Sequence, residues 1–281
     1  TSQAAGGDHR LVNIKDGLQR LLRQRGRADL QPETYILPDE EQAARARVAR
    51  SPQETWILKP ARMFGGRGAQ LVAGDPAPLA VRGPWVLQRY LDRPWLVDGH
   101  KAHMRCYLLV VPGWPRRVYL SHDGIVRLAP RPWDDGSGGA VERHITNTNL
   151  HWKTGELRIE EDAAREDAGH VRRLSAVLTS LGREQGEDLF AVLHRFAGEV
   201  VAAVHGALQS PLVGLIALDL LLDADGRFHL LEIESRPQFV AGGVPVVGRI
   251  HRDLGQQAQP ILAAHLAGGA LPDRAGGWRR L

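Results

Sequence analysis

The sequence predicts an α+β protein, on three observations. Short apolar strands joined by hairpin turns dominate the middle of the chain, and amphipathic helices lie before and after them. The strict βαβ alternation of a dinucleotide-binding fold is absent from the pattern. A composition of 43% hydrophobic and 24% charged residues over 281 positions is that of an ordinary globular chain, with one large domain or two modest ones.

Periodicity and turn residues predict each element in order. Apolar residues at helical spacing predict helices over these ranges: Asp16–Arg25, Glu40–Arg50, Ala164–Leu181, Asp188–Leu208 and Asp253–His265. Apolar runs bounded by Gly and Pro predict these strands: Thr34–Leu37, Trp56–Lys59, Ala69–Ala73, Trp85–Leu91, Ala102–Val111, Arg117–Ser121, Ile125–Leu128, Gly214–Asp223 and Phe228–Glu234. We expect two-residue hairpin turns at Asp123-Gly124 and Asp225-Gly226, and a loop over Arg131–Gly139.

Composition also limits the class of protein. Cys106 is the single cysteine, so no disulfide can form within the chain, and we expect a reducing, cytoplasmic location without a signal peptide. A formal charge of +4 favours anionic ligands without demanding nucleic acid. The longest apolar runs, such as Leu212–Leu222, are too short to cross a bilayer. We therefore expect neither nucleic acid nor a membrane as partner.

The most informative segment is the hairpin of Ala217–Ser235. A two-residue turn at Asp225-Gly226 places Asp219 opposite Glu232, with Glu234 on the same face. Carboxylates facing each other in a mostly apolar hairpin repel, and a hard divalent cation, Mg²⁺ or Mn²⁺, would offset that repulsion. The alternative is a solvated strand end whose charges point to water.

Two further segments suggest an anion site. Gly65, Gly66 and Gly68 lie between two strands, where backbone N–H groups can cover phosphates beside Lys59. In the strand that follows Gly99, alternation places Lys101, His103 and Arg105 on one face, and Arg127 is a further candidate anion ligand. The alternatives are a flexible surface hairpin and exposed polar faces. Together, cations for phosphates and carboxylates for a metal compose a Mg-nucleotide site.

These residues resemble the tubulin tyrosine ligase-like family of ATP-grasp ligases. KPARMFGGRGA at Lys59–Ala69 is similar to that family's KP…GRGI loop, and Val86–Val110 is similar to its VQxY…P…LIDG…KFDxR signature. HITN at His144–Asn147 resembles its HLTN motif, and Leu218–Pro237 resembles its D…LLEVN…P hairpin. PETYILP at Pro32–Pro38 and KDGL beginning at Lys15 are weaker likenesses.

The resemblance implies an ATP-grasp fold with the nucleotide cleft between two α+β lobes. It implies a short N-terminal lobe over residues 1–54, a central lobe with the Gly-rich loop over 55–91 and a C-terminal lobe with the metal-binding hairpin over 92–281. It also implies ATP and Mg²⁺ as cofactors, and a role for each matched residue. The catalytic residues would be Arg105, Arg127 and Glu232, and the metal ligands Asp219, Glu232 and Glu234. The ATP-binding residues would be Lys15, Lys59, Gly66, Gly68, Gln88, Arg89, Tyr90, Leu91, Lys101, His103, Thr146 and Asn147.

The activity implied by the resemblance is ATP-dependent ligation of an amino acid, with glutamate as the expected one, to a protein or peptide acceptor through an acyl phosphate. Two alternatives stay open: a ligase that joins two small molecules, and a degenerate domain that only binds a partner. His103 stands where the family has an Asp, and Glu234 where it has an Asn, and these two departures keep the non-catalytic alternative open.

Overall fold

The fold consists of two antiparallel sheets with helices packed against them, which confirms the α+β prediction. It is taken from a computed structural model that describes residues 9–113, 117–133, 146, 166–185, 188–208, 212–237 and 244–281. The chain enters through two short helices, α1 (His9–Asn13) and α2 (Lys15–Gln24). Within the described residues, no helix combines the length and the apolar character needed to cross a bilayer.

The smaller sheet has four strands in the order β1-β4-β2-β3. Helix α3 (Glu41–Arg50) packs on one face, over a core that contains Trp56, Leu58 and Leu87. The strand from Thr34 pairs with the strand from Trp85, so one sheet joins residues on both sides of position 54. The division of the chain at residues 54 and 91 stays a proposal. The strands are β1 (Thr34–Leu37), β2 (Thr55–Pro60), β3 (Gln70–Ala73) and β4 (Trp85–Arg89).

The larger sheet has eight described strands, with the path β10-β9-β6-β7-β12-β11 and with β5 and β8 attached at its sides. Two strands of 12 residues, β6 and β7, form its centre. The strands are β5 (Leu96–Val97), β6 (His100–Val111), β7 (Arg117–Leu128), β8 (Val171–Arg173), β9 (Gly214–Leu222), β10 (Phe228–Glu234), β11 (Arg274–Ala275) and β12 (Trp278–Arg280).

Each face of the larger sheet is covered differently. Even-numbered residues of β6, such as Met104 and Leu108, lie in a core shared with α4 (Leu174–Gln185) and α5 (Leu189–Val204). Odd-numbered residues from Tyr107 onward pack under α6 (Pro245–Leu266). The same odd-numbered face carries charged residues before Tyr107, where it borders the cleft. The cation row on β6 therefore begins where the apolar packing under α6 ends.

The expected turn at Asp123-Gly124 is wrong, because β7 runs through it as one strand. The register between β6 and β7 instead shifts between Cys106 and Leu108, so that β7 carries two extra residues there. Gly124 lies opposite Cys106, and a Cβ at that position would lie 2.3 Å from the carbonyl oxygen of Arg105. The glycine therefore permits a close approach of two backbones, not a chain reversal.

The hairpin of β9 and β10 reaches the expected pairing by a different route. Asp223 N–H donates to the carbonyl of Arg227, and Gly226 has φ +77°, so the loop has three residues and not two. This moves the register by one, and Leu230 pairs with Leu220. A bulge between Leu230 and Glu232 restores the phase, so Glu232 still lies opposite Asp219.

Three other sequence predictions are corrected by the fold. The helix expected from residue 164 begins at Leu174, because Val171–Arg173 pairs with β7 at the sheet edge. The helix expected from Asp253 begins at Pro245, a residue whose fixed φ suits the first helical turn. The C-terminal strands β11 and β12 were not predicted; β12 pairs with β7, where Trp278 lies opposite Ser121, and β11 pairs with β12. Of the expected loop 131–139, only residues 131–133 are described.

Candidate functional site: a cationic cleft between the sheets

A cleft lies between the two sheets, where the Gly-rich loop of the smaller sheet faces β6, β7, β9 and β10 of the larger one. Most of the predicted site residues line it, although they come from many separate elements. Those lining the cleft are Lys15, Lys59, Gly66, Gln88, Arg89, Tyr90, Leu91, Lys101, His103, Arg105, Arg127, Thr146, Asp219, Glu232 and Glu234. Gly68 does not line it, and Asn147 lies outside the described residues.

Lysine is rare in this chain and gathers at the cleft. The lysines are Lys15, Lys59, Lys101 and Lys153, and all other basic side chains except histidine are arginines. Lys15, Lys59 and Lys101 line the cleft, and Lys153 lies outside the described residues. Most lysine ammonium groups of the chain, each with three donors that can turn toward phosphate oxygens, therefore lie at this cleft.

Lys101 is held in an aromatic corner of the cleft. Its Nζ donates to the Tyr90 hydroxyl at 2.6 Å and lies 4.0 Å from the Tyr90 ring centroid. Tyr90 in turn stacks on Trp133, at 6.1 Å between ring centroids. Burial, with Lys59 nearby, lowers the pKa of Lys101 to about 7. The alternative of an exposed polar strand face is therefore wrong for Lys101, which is 4% exposed.

Arg105 and Asp219 form a two-pronged ion pair across β6 and β9. The register places them directly opposite each other, and Arg105 Nε and Nη2 donate to the two carboxylate oxygens, each at 2.7 Å. His103 Nε2 is 3.6 Å from Asp219 Oδ2. Burial alone would raise the pKa of Asp219, but Arg105 and His103 hold it well below the ordinary value. Asp219 is therefore ionised and already paired with a cation.

Arg127 carries a buried positive charge beside this pair. It lies opposite His103 on β7 and lines the cleft. Burial, with Arg105 nearby, lowers the pKa of Arg127 to about 10. Within the described part of the chain no carboxylate comes within ion-pair distance of its guanidinium. A buried cation of this kind is costly until an anion reaches it, so the site favours a negatively charged ligand.

Glu232 provides the test of whether the cleft suits a metal. Its Oε2 is buried and has no hydrogen-bond partner among the described residues, although Lys15 Nζ lies 3.3 Å away. Glu234 lines the cleft on the same strand. Carboxylate oxygens facing a phosphate site are the ligands Mg²⁺ prefers. In the described part of the chain, however, no three His, Cys, Asp or Glu side chains are grouped as a metal site. Glu232 therefore fits a magnesium ion, while Asp219 is occupied by Arg105.

The Gly-rich loop lines one part of the cleft. Gly65, Gly66 and Gly68 have φ values of +72°, +74° and +70°, which favour glycine at each position. A Cβ on Gly68 would also lie 3.0 Å from the Pro60 ring. Lys15 anchors the loop, since its Nζ donates to the carbonyl of Met63 at 2.6 Å. The loop therefore requires glycine for its backbone conformation and, at Gly68, for the close approach to Pro60.

Sequence reasoning missed several residues of the site. Met63 and Phe64 line the cleft and are about half exposed, and no motif marked them as functional. Thr34 stands behind the cleft and hydrogen-bonds to Gln88. The PETYILP segment, noted only as a weak likeness, was the available signal for Thr34.

Comparison with known proteins identifies a family. The model described as Tubulin-tyrosine ligase family matches residues 8–254. The Probable beta-tubulin polyglutamylase of Tetrahymena thermophila is 26% identical over 229 residues, which are 74% of this chain and 19% of that protein. The Tubulin polyglutamylase TTLL5 of Mus musculus is 27% identical over 221 residues (73% and 16%), and the Tubulin monoglutamylase TTLL4 of Homo sapiens is 27% identical over 262 residues (86% and 21%). The chain therefore spans about a fifth of the length of these relatives.

Proposed function

Since this chain belongs to the tubulin-tyrosine ligase family, whose fold is of the ATP-grasp type, we propose that it is an ATP-dependent ligase that adds glutamate to a protein or peptide acceptor. The observation that carries the proposal is the cleft that Lys59, Lys101 and Arg127 line together with the carboxylates of Glu232 and Glu234. Cations for the phosphates and oxygen ligands for the metal are what a Mg-nucleotide requires. The names of the relatives, tubulin mono- and polyglutamylases, support glutamate and a protein acceptor.

The proposed reaction has two steps. A carboxylate oxygen attacks the γ-phosphorus of ATP, the bond to the β,γ-bridging oxygen breaks, and ADP leaves an acyl phosphate behind. The amine of the second substrate then attacks the acyl carbon, loses a proton and expels inorganic phosphate, which leaves an amide. Neither step needs a nucleophile from the protein, in agreement with Cys106 being buried on the opposite face of β6.

The side chains of the cleft act by position and charge. Lys59 and Lys101 would hold the phosphates, with Gly66 and the loop backbone above them. Arg105 and Arg127 would stabilise the charge that develops as the phosphoryl group moves. Glu232, with Glu234, would hold Mg²⁺, which when bound neutralises phosphate charge, while Asp219 orients Arg105. The backbone from Gln88 to Leu91 would contact adenine at the junction of the two sheets.

The proposal is tested by mass. The protein is incubated with Mg-ATP, single amino acids and one of two acceptors, purified tubulin or a synthetic glutamate-rich peptide, and the acceptor mass and ADP release are measured. We expect the acceptor to gain a glutamyl residue. Glu232→Gln should lower turnover by at least about 10²-fold while circular dichroism shows an intact fold. Absence of ADP release with every amino acid and both acceptors would contradict the proposal.

A second candidate function is a nucleotide-binding domain without ligase turnover. It is favoured by one observation, the pairing of both Asp219 oxygens with Arg105, which leaves that carboxylate unavailable to a metal in this structure. Binding of Mg-ATP in calorimetry together with no amide formation would favour this candidate. Mass gain of free amino acids without an acceptor would instead indicate a small-molecule ligase.

A further inference from the structure

A buried chain of hydrogen bonds runs behind the cleft from the backbone to Lys59. Lys59 Nζ donates to Gln88 Oε1 at 2.6 Å, and Gln88 Nε2 donates to Thr34 Oγ1 at 2.9 Å. The Thr34 hydroxyl donates to the carbonyl of Pro32 at 2.6 Å. Thr34 and Gln88 are 5% and 3% exposed and lie opposite each other on β1 and β4. The middle of this hydrogen-bond chain, at Thr34 and Gln88, is therefore enclosed within the smaller sheet, away from solvent.

The carbonyl of Pro32, at one end of this hydrogen-bond chain, fixes which groups donate and which accept. The carbonyl of Pro32 can only accept, so the Thr34 hydroxyl must donate its single proton there. Its oxygen is then left as an acceptor, and Gln88 must present its NH₂ group to Thr34. The carboxamide oxygen of Gln88 consequently points to Lys59. A reversed carboxamide would set NH₂ against an ammonium, which has no acceptor capacity.

Thr34 is itself held firmly in place. Its carbonyl accepts from Arg23 Nη2 at 2.5 Å and from Gln19 Nε2 at 3.4 Å, so α2 supports β1 at this residue. Lys59 has fewer restraints, because Gln88 is its hydrogen-bond partner among the described residues. The orientation of the ammonium therefore depends on a hydroxyl two hydrogen bonds away.

We propose that Thr34 is a positioning residue for the nucleotide, acting through the carboxamide of Gln88 to hold the Lys59 ammonium toward the phosphates. The inference rests on the proposed function, in which Lys59 binds ATP phosphates. Thr34 does not line the cleft, but it fixes the donor-to-acceptor direction of the hydrogen bonds, which neither Lys59 nor Gln88 could fix alone. Aligned hydrogen bonds polarise one another, so an intact chain also strengthens the bond to Lys59.

The test compares two substitutions that differ by one hydroxyl. Thr34→Val keeps the shape of the side chain and removes the hydroxyl, whereas Thr34→Ser keeps it. Binding of Mg-ADP and of adenosine is measured by calorimetry. We expect Thr34→Val to weaken Mg-ADP binding roughly tenfold, the cost of misplacing one charged hydrogen bond, and to leave adenosine binding within about twofold. Thr34→Ser should stay within about twofold of the wild-type chain for both probes.

A double-mutant cycle separates positioning from general loosening of the sheet. In a Lys59→Met background, Thr34→Val should cost less than about twofold in Mg-ADP affinity, because the group it positions is gone. Equal losses for adenosine and Mg-ADP, or an unchanged loss in the Lys59→Met background, would overturn the inference while leaving nucleotide binding intact. A wild-type chain that binds neither probe would overturn the proposed function, and this inference with it.

Discussion

Replacement of Asp219 by Asn should destabilise the fold strongly, because it breaks a buried ion pair while the side chain keeps its size. The side chains of Asp219 and Arg105 are 3% and 21% exposed, and both carboxylate oxygens are 2.7 Å from guanidinium nitrogens. Asparagine offers one acceptor and sets an NH₂ group against Arg105, whose charge is left beside that of Arg127. Removal of one partner of a buried pair costs about 3–5 kcal/mol. At this chain length that corresponds to a melting temperature lower by roughly 5–8 °C.

The same substitution at Asp225 provides the control on the same hairpin. Asp225 pairs with Arg93 at 3.5 Å, but the two side chains are 57% and 71% exposed, and exposed pairs of this kind contribute little. Urea unfolding of wild type, Asp219→Asn and Asp225→Asn, followed by circular dichroism, measures both changes. The reasoning is refuted if Asp219→Asn unfolds within about 1 kcal/mol of the wild type or if the two variants lose equal stability.

Acid pH should reduce the difference in unfolding free energy between the wild type and Asp219→Asn. The pKa of Asp219 lies well below its ordinary value, because Arg105 and His103 favour the charged carboxylate. A carboxyl group with a lowered native pKa adds stability above its unfolded pKa, near pH 4, and loses it as the pH falls toward the native value. The difference in unfolding free energy should therefore be full at pH 7 and shrink below about pH 4. A constant difference down to acid pH would mean that the ion pair is not its source.

Further predictions concern the backbone and the single thiol. Gly124→Ala should lower the free energy of unfolding by about 2 kcal/mol or more, measured by heat or urea, because its Cβ would lie 2.3 Å from a carbonyl oxygen. Gly198→Ala is the control: it lies inside α5 with open space around it, and it should raise the free energy of unfolding by about 0.5–1 kcal/mol. Gly226→Ala should cost about 1–2 kcal/mol, because φ is +77° there, and a neutral result would show that the three-residue loop rearranges freely. Burial raises the pKa of the Cys106 thiol, so alkylation followed by mass spectrometry should proceed only as fast as the protein unfolds; labelling at the rate of a free thiol would contradict its burial.

The carboxylate hairpin shows what local sequence can and cannot determine. The Asp225-Gly226 turn between two apolar runs predicted both strands and the pairing of Asp219 with Glu232, and the structure has that pairing. The predicted register was nevertheless wrong by one up to Leu230, because a three-residue loop and a bulge cancel each other. Loop length and bulge position depend on contacts of the folded chain, such as the hydrogen bond from Ala224 N–H to the carbonyl of Arg93, which local pattern does not encode.

The residues that neutralise Asp219 and Glu232 could not be predicted from the sequence either. The sequence indicated a cation beside Asp219 and Glu232 and an anion beside Arg105, with exposure to solvent as the alternative for both. It did not show that β6 and β9 are neighbours. In the structure Arg105 neutralises Asp219, and Lys15 approaches Glu232 from the start of α2. Residues whose partners are fixed by strand order, such as Thr34 behind Lys59, could be found only from the assembled sheet.

The gathering of Lys15, Lys59 and Lys101 in the cleft has a practical consequence for chemistry on this chain. Acylating reagents, amine-reactive dyes, cross-linkers and lysine-modifying enzymes would find few ε-amines elsewhere, since arginine supplies the other strongly basic side chains. Under the proposed function, a bound nucleotide should therefore shield these amines from amine-directed coupling.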